Sequence, residues 1–219
     1  MDAIHIAGGV ILAWDTRVYK KIDCLVGCFS VSVLLKGVVD GFAWICIGVY
    51  GPNADGLRDA LWIELDSVRG RWSATWCVFG DFNIIRYPAQ RLGCTSFSPA
   101  MFKFSMFKFL DFIERNFLVD IPLLGGEYTW FCDSENPSMS RIDRVLVFAD
   151  WEDHFLDVTQ RPLPQVISDH CPLFVETGGM SRGKTSFKFE NIWLKVEGLW
   201  ILCEVGGTDT ILLGLLVMS

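Results

Sequence analysis

Hydrophobic positions fall in short runs and alternations along the first half of the chain, and they predict strands before helices. Gly8 to Trp14 opens with a buried-strand pattern. Phe29 to Leu35 alternates between apolar residues and serine, as a half-buried strand does. Ala43 to Val49 is nearly all apolar and stops at Tyr50-Gly51-Pro52-Asn53, a strong turn signal. From Asp55 to Arg69 the period changes. Leu57, Leu61, Leu65 and Val68 recur at steps of three and four, which marks one face of an amphipathic helix. Thr75 to Phe79 is a short apolar strand ending at Gly80.

Ser98-Pro99 reads as a helix cap followed by proline in the first turn. Phe102, Met106, Phe109, Leu110, Ile113 and Phe117 then form a stripe. Phe102 to Ser105 also alternates, but the length of the pattern favours a helix. Glu127 to Phe131, Ile142 to Phe148 and Pro172 to Glu176 read as strands. Strands interspersed with few helices predict a layered α/β domain, with two packed sheets and helices outside. The character changes after Thr177. Residues 1–177 form the domain, and residues 178–219 a linker-like connector and an irregular apolar tail.

The length of 219 residues suits one domain with a real core, and 51% hydrophobic content excludes a disordered chain. A net charge of −7 disfavours bulk-charge coating of nucleic acid or of an anionic membrane, while leaving room for a local site built on carboxylates and a metal. Of eight cysteines only Cys24 and Cys28 are close, with no second pair or nearby histidine, so a zinc site is disfavoured and buried free thiols are expected. The start lacks a basic n-region, and Ile211 to Met218 is too short to span a bilayer. The reading is a soluble, intracellular protein with no membrane partner.

Four segments at strand ends carry the chemistry-bearing residues: Tyr50-Gly51-Pro52-Asn53, Gly80-Asp81-Phe82-Asn83, Arg141-Ile142-Asp143-Arg144 and Ser168-Asp169-His170-Cys171-Pro172. Each has an ordinary explanation when taken alone. The second and fourth are good turns. Asp143 between two arginines suits a surface ion pair, and Tyr50 suits strand-end packing. His5 and His154 have no polar company in the sequence and are given no role.

Together and in this order the segments resemble the endonuclease/exonuclease/phosphatase (DNase-like) superfamily. The resemblance runs from about Gly8 to Val175 and is closest to the endonuclease domain of plant non-LTR (LINE-type) retrotransposons. That closer likeness rests on Val49 to Asn53, on Tyr128-Thr129-Trp130 and on Phe187 to Leu194. The last of these is similar to the connector that leads toward a reverse transcriptase, although no reverse transcriptase is present in this sequence. The resemblance implies a four-layer α/β sandwich and metal-dependent hydrolysis of DNA phosphodiesters, with the nucleus as the place of work. It implies that Asp81 orients or deprotonates the attacking water and that Asn83 holds that water or a phosphate oxygen. His170 would donate to a phosphoryl oxygen, or take the proton in the alternative assignment. Asp143 would fix the His170 tautomer and Tyr50 would donate to the phosphate. Asp169 would hold Mg²⁺ or Mn²⁺ directly or through water. Thr129 and Ser140 would contact the nucleic-acid backbone.

The sequence also departs from the pattern. Family members begin with a strand bearing a Trp-Asn motif, and a second strand ends in Gln-Glu-Thr with the main metal-ligand glutamate. Neither motif precedes Gly8, and the first glutamate, Glu64, lies in a predicted helix. The chain therefore reads as an N-terminally truncated domain lacking the first strands, in which the metal is weakly held or absent. Two readings follow: a DNA endonuclease, and a catalytically inactive remnant. A third, the same fold acting on a small phosphate ester, is disfavoured by Tyr50 to Asn53 and by the connector.

Overall fold

The computed structural model describes residues 9–93, 99–133, 136–165 and 168–178, together with the backbone at 201–205 and 211–215. Its centre is a six-stranded sheet. The members are β1 (Tyr19–Val26), β2 (Ser30–Gly37), β3 (Ala43–Tyr50), β4 (Thr75–Asp81), β6 (Leu118–Asp120) and β9 (Asp143–Phe148), in the order β1-β2-β3-β4-β9-β6. Only β3 and β4 pair in parallel; the other neighbours are antiparallel. That parallel pair needs a crossover, and helix α1 (Arg58–Arg71), entered through a 3-10 turn at Asp55–Leu57, supplies it.

The central strands are buried on both faces, which is why their sequences are almost uninterrupted in apolar residues. Ile45, Ile47, Val49, Trp76, Val78 and Leu146 face the helix layer. There they meet Leu61, Trp62, Leu65 and Val68 of α1 and Phe109, Phe112 and Ile113 of α2 (Pro99–Arg115). Trp62 stacks on the rings of Phe109 and Phe112, at centroid distances of 5.4 and 4.9 Å. Trp44, Cys46, Cys77, Phe79, Val145 and Val147 face the other way. Leu173 and Val175 of a second, smaller sheet cover them, joined by Trp151 of the short helix α3 (Ala149–His154). The smaller sheet is β10 (Thr159–Pro162) with β11 (Leu173–Glu176), antiparallel. Fully burying one large apolar side chain contributes about 1.5–3 kcal/mol, so the fully buried Trp44, Trp76 and Trp151 are major anchors of these layers. This is the expected layered α/β sandwich.

Three further short strands, β5 (Arg91–Leu92), β7 (Trp130–Cys132) and β8 (Ser138–Ser140), make a small sheet in the order β5-β8-β7. In the C-terminal region, expected to be irregular, β12 (Ile201–Val205) and β13 (Ile211–Leu215) pair antiparallel. The connector motif at 187–194 and the cap Ser98 lie outside the described residues.

Several expectations are corrected. Residues 9–14 form no strand, although Val10 is buried in the core. Strand β1 was not anticipated, because Lys20, Lys21 and Asp23 interrupt its alternation; it is an edge strand with mostly exposed side chains. The helical stripe ends before Phe117, which is exposed and left-handed at φ 53° where the chain leaves α2 for β6. The stripe also omits Phe112, which is fully buried.

Glu64 has a structural task. Reaching from α1, its carboxylate accepts the backbone amides of Cys28 (2.7 Å) and Phe29 (3.2 Å) and the Ser30 hydroxyl (2.6 Å). It thereby closes the β1–β2 turn. A Cβ on Gly27 would overlap this carboxylate, so a larger residue there would displace the Glu64 side chain from its partners.

Candidate active site

Strand register brings three of the sequence-predicted residues into one row. Tyr50 at the end of β3 is opposite Asp81 at the end of β4, and Asp81 is opposite Asp143 at the start of β9. Side chains alternate along each strand. Counting back from Tyr50 to Trp44, from Asp81 to Cys77 and from Asp143 to Val147 shows that all three belong to the face covered by the smaller sheet.

His170 arrives on that face from the loop before β11. The loop is laced to β7: the Phe131 amide donates to the Asp169 carbonyl (2.8 Å) and the Cys171 amide to the Thr129 carbonyl (2.7 Å). Its ring then meets Asp143, with Nδ1 at 2.9 Å from Oδ2 and 3.2 Å from Oδ1. The other ring nitrogen, Nε2, lies 4.0 Å from Asp81 Oδ2. Asp143 therefore fixes the ring orientation and aims Nε2 toward Asp81.

All three groups are buried, and burial and neighbouring charge together set the protonation of Asp81 and His170. Burial, reinforced by the neighbouring Asp143 carboxylate, pushes Asp81 up to about 8. Burial alone would push His170 down, but the Asp143 carboxylate at its Nδ1 outweighs that and raises it to about 9. At neutral pH the imidazolium form is favoured, ion-paired to Asp143, beside an Asp81 that holds its proton. The site thus carries an acid and a latent base side by side.

Asn83 sits in the left-handed region at φ 51°. Its backbone amide donates to Asp81 Oδ1 (2.7 Å), and its side-chain Nδ2 donates to the Gly51 carbonyl (2.7 Å). The Gly51 amide in turn donates to the Asp81 carbonyl (2.6 Å). A Cβ on Gly51 would fall 2.5 Å from the Phe82 carbonyl oxygen, so only glycine permits this approach of the two loops.

Thr129 and Ser140 lie beneath the site rather than at its rim. Both are fully buried. The Thr129 hydroxyl accepts the amides of Ile142 and Asp143, each at 3.1 Å, and the Ser140 hydroxyl accepts Arg91 Nε at 2.9 Å. Asp169 is held outside the Asp143–His170 contact. Trp130 Nε1 donates to its Oδ2 at 2.7 Å, and the Ser168 hydroxyl lies 3.3 Å from its Oδ1. It still acts on the site by charge, raising both Asp81 and His170.

The arginines flanking Asp143 do not pair with it. Arg141 and Arg144 both bind Asp120, at 2.9 and 2.7 Å. Trp130, Asp120 and Arg58 are the supporting residues that sequence reasoning missed. Only the Tyr-Thr-Trp segment gave a signal for any of them.

Among the described residues, the ligand atoms of Asp81, Asp143 and His170 all lie within 4.8 Å of one another, close enough for one divalent cation to be shared once Asp81 and His170 have released their protons. The donor chemistry favours Asp81, because both Asp143 oxygens already face His170 Nδ1. A hard cation such as Mg²⁺ takes one or two carboxylates and keeps several waters, which this set allows.

No protein-family model matches the chain, and no curated protein is similar to it in sequence. Solved structures are similar to it in shape, and one of them shows the fold, that of the endonuclease/exonuclease/phosphatase (DNase I-like) proteins. In particular it is similar to the endonuclease domain of TRAS1, a telomere-specific non-LTR retrotransposon. The likeness covers 72% of this chain and 67% of that one, at 14% identity and a TM-score of 0.51. The 3′ phosphatase NExo from Neisseria, bound to product DNA hairpin, matches 75% of this chain and 78% of its own at 17% identity, with a TM-score of 0.49. Beta toxin from Staphylococcus aureus matches 71% and 64% at 15% identity and the same TM-score of 0.49. The fold assignment rests on the first. Among the described residues no helix is long and apolar enough to cross a membrane.

Proposed function

We propose that this chain is a divalent-metal-dependent phosphodiesterase acting on DNA. The observation that carries the reading is the Asp143–His170–Asp81 arrangement, which places an acid and a latent base next to each other at strand ends. Imidazolium His170, held by Asp143, donates from Nε2 to a phosphoryl oxygen or to the departing oxygen. Asp81 orients the attacking water and accepts its proton once ionised. Tyr50, in the same row, faces the phosphate. Asn83 fixes the Asp81 carboxylate through its backbone amide. Mg²⁺ or Mn²⁺, held by Asp81 with Asp169 beside it and water completing the shell, would supply positive charge to the phosphoryl oxygens. Thr129 and Ser140 support β9 from below. In a eukaryotic cell, the nucleus is the compartment we propose for this activity, on the ground that it holds most of the DNA.

One observation favours the alternative, a catalytically inactive domain. Among the described residues no glutamate joins the Asp81 cluster, and Glu64 is committed to the β1–β2 turn. Nicking of supercoiled plasmid separates the two readings. The expected result is slow nicking that requires Mg²⁺ or Mn²⁺ and is lost in His170→Ala. Intact plasmid after prolonged incubation with either metal would establish the inactive reading.

A further inference from the structure

We propose that Arg58 is a positioning residue that locks the Tyr50–Asn53 loop to the Asp81–Asn83 loop and so sets the direction of the Asp81 carboxylate. The inference deepens the phosphodiesterase reading and rests on it for its link to catalysis.

Arg58 opens helix α1, where an arginine would ordinarily reach into water. Instead it is 7% exposed. Its Nη2 donates to two backbone carbonyls, that of Asn83 at 2.8 Å and that of Asn53 at 3.2 Å. Its Nη1 pairs with Asp55, and Asp55 also accepts the hydroxyl of Ser105 from α2 at 3.0 Å. One guanidinium therefore joins the loop after β3, the loop after β4 and, through Asp55, the second helix. Burial pushes its pKa down from the usual arginine range, and truncating a buried group of this kind leaves its partners unpaired.

The catalytic consequence follows from what Asn83 does. Its backbone is left-handed, a conformation asparagine tolerates better than most residues, and it turns the Asn83 amide and carbonyl to opposite partners. Its amide grips Asp81 Oδ1, its side chain grips Gly51, and Arg58 grips its carbonyl. Arg58 is the contact in this circuit that comes from outside both loops. Phe82 is held separately from the β9 side, by its amide donating to the Ile142 carbonyl at 3.0 Å and by burial against Phe109. Without Arg58 it is the Asn83 carbonyl that loses its partner, and the Asn83 amide that aims the Asp81 carboxylate is held less firmly. Misplacement on the scale of an ångström commonly costs about 10²-fold in rate.

The test uses Arg58→Lys, which keeps the charge but cannot make the forked set of bonds, and Arg58→Ala with added methylguanidine. Both are compared with the wild-type chain by circular dichroism to confirm folding. The first readout is amide exchange at Asn83 by NMR, which does not depend on activity. The second is plasmid nicking with kcat and KM separated. In folded Arg58→Lys, Asn83 exchange is expected to speed up at least ~10-fold, with kcat falling ~10–100-fold and KM unchanged. Methylguanidine is expected to restore slow exchange and activity to Arg58→Ala. Unaltered Asn83 exchange in folded Arg58→Lys would overturn the proposal. If the wild-type chain does not nick but the exchange effect appears, the lock stands and the phosphodiesterase reading falls.

Discussion

Asp81 and Asp143 lie directly opposite one another across β4 and β9, and the His170 ring reaches both, at 4.0 and 2.9 Å. Two buried carboxylates side by side repel, and an imidazolium between them relieves the repulsion. Asp143→Asn removes the anion that holds the ring charged. NMR titration should show the His170 pKa fall from about 9 toward or below its ordinary value of 6.5. Nicking at neutral pH should drop by about 10²–10⁴-fold, the range for loss of positioned acid–base catalysis.

The same groups make stability depend on pH in an unusual direction. Asp81 is raised from 3.8 to about 8 and His170 from 6.5 to about 9. In both cases the folded state binds the proton more tightly than the unfolded chain. The Asp81 contribution is full below pH 4 and lost as pH rises through 8; that of His170 is full below 6.5 and lost through 9. Metal-free protein should therefore lose stability steadily from mildly acid to alkaline pH. Asp81→Asn should flatten the lower part of that slope and stabilise the protein at pH 8 by about 0.5–2 kcal/mol. A thermal-unfolding series in chelator, run on both proteins, checks this.

Thr129 gives a third expectation. Its hydroxyl accepts two buried amides at the start of β9. Thr129→Val leaves both without a partner, at about 1–3 kcal/mol each. The variant should lose thermal stability, and its activity should fall through kcat. Thr129→Ser should recover most of both. A rise in KM for DNA without loss of stability would instead assign Thr129 to the nucleic-acid backbone, as the sequence alone suggested.

Glu64→Ala should unfasten the β1–β2 turn. Loss of three charge-assisted bonds should cost about 1–3 kcal/mol and expose the Cys28 and Phe29 amides to rapid exchange. Metal affinity, measured by titration calorimetry with Mn²⁺, should not change. A loss of Mn²⁺ binding would make Glu64 a ligand and contradict its structural assignment.

Much of the architecture was legible because the central strands announce themselves. Ala43 to Val49 and Val145 to Phe148 are apolar on both faces, and α1 shows its helical step clearly. What escaped was short or exposed. Tyr19 is the one fully buried residue of β1, and α3 is too brief for a period to show. The Asp143–His170 contact could be anticipated from motif order. The roles of Arg58 and Asp120 could not, since both bond to partners far away in sequence, such as the Asn83 carbonyl and Arg144. Nor could the burial of Ser140, because a serine followed by arginine looks like surface until its hydroxyl is found accepting Arg91.

The lacing of the 168–171 loop onto β7 also sets an order of events during synthesis. Asp81 and Asp143 leave the ribosome well before His170, and β11 follows immediately after it. Until that stretch docks, Asp81 and Asp143 face each other across β4 and β9 without the His170 ring that bridges them. Arrival of residues 168–176 supplies the charge and the covering strand together. The segment that completes the chemical centre is therefore also the one that covers the neighbouring face of the central sheet.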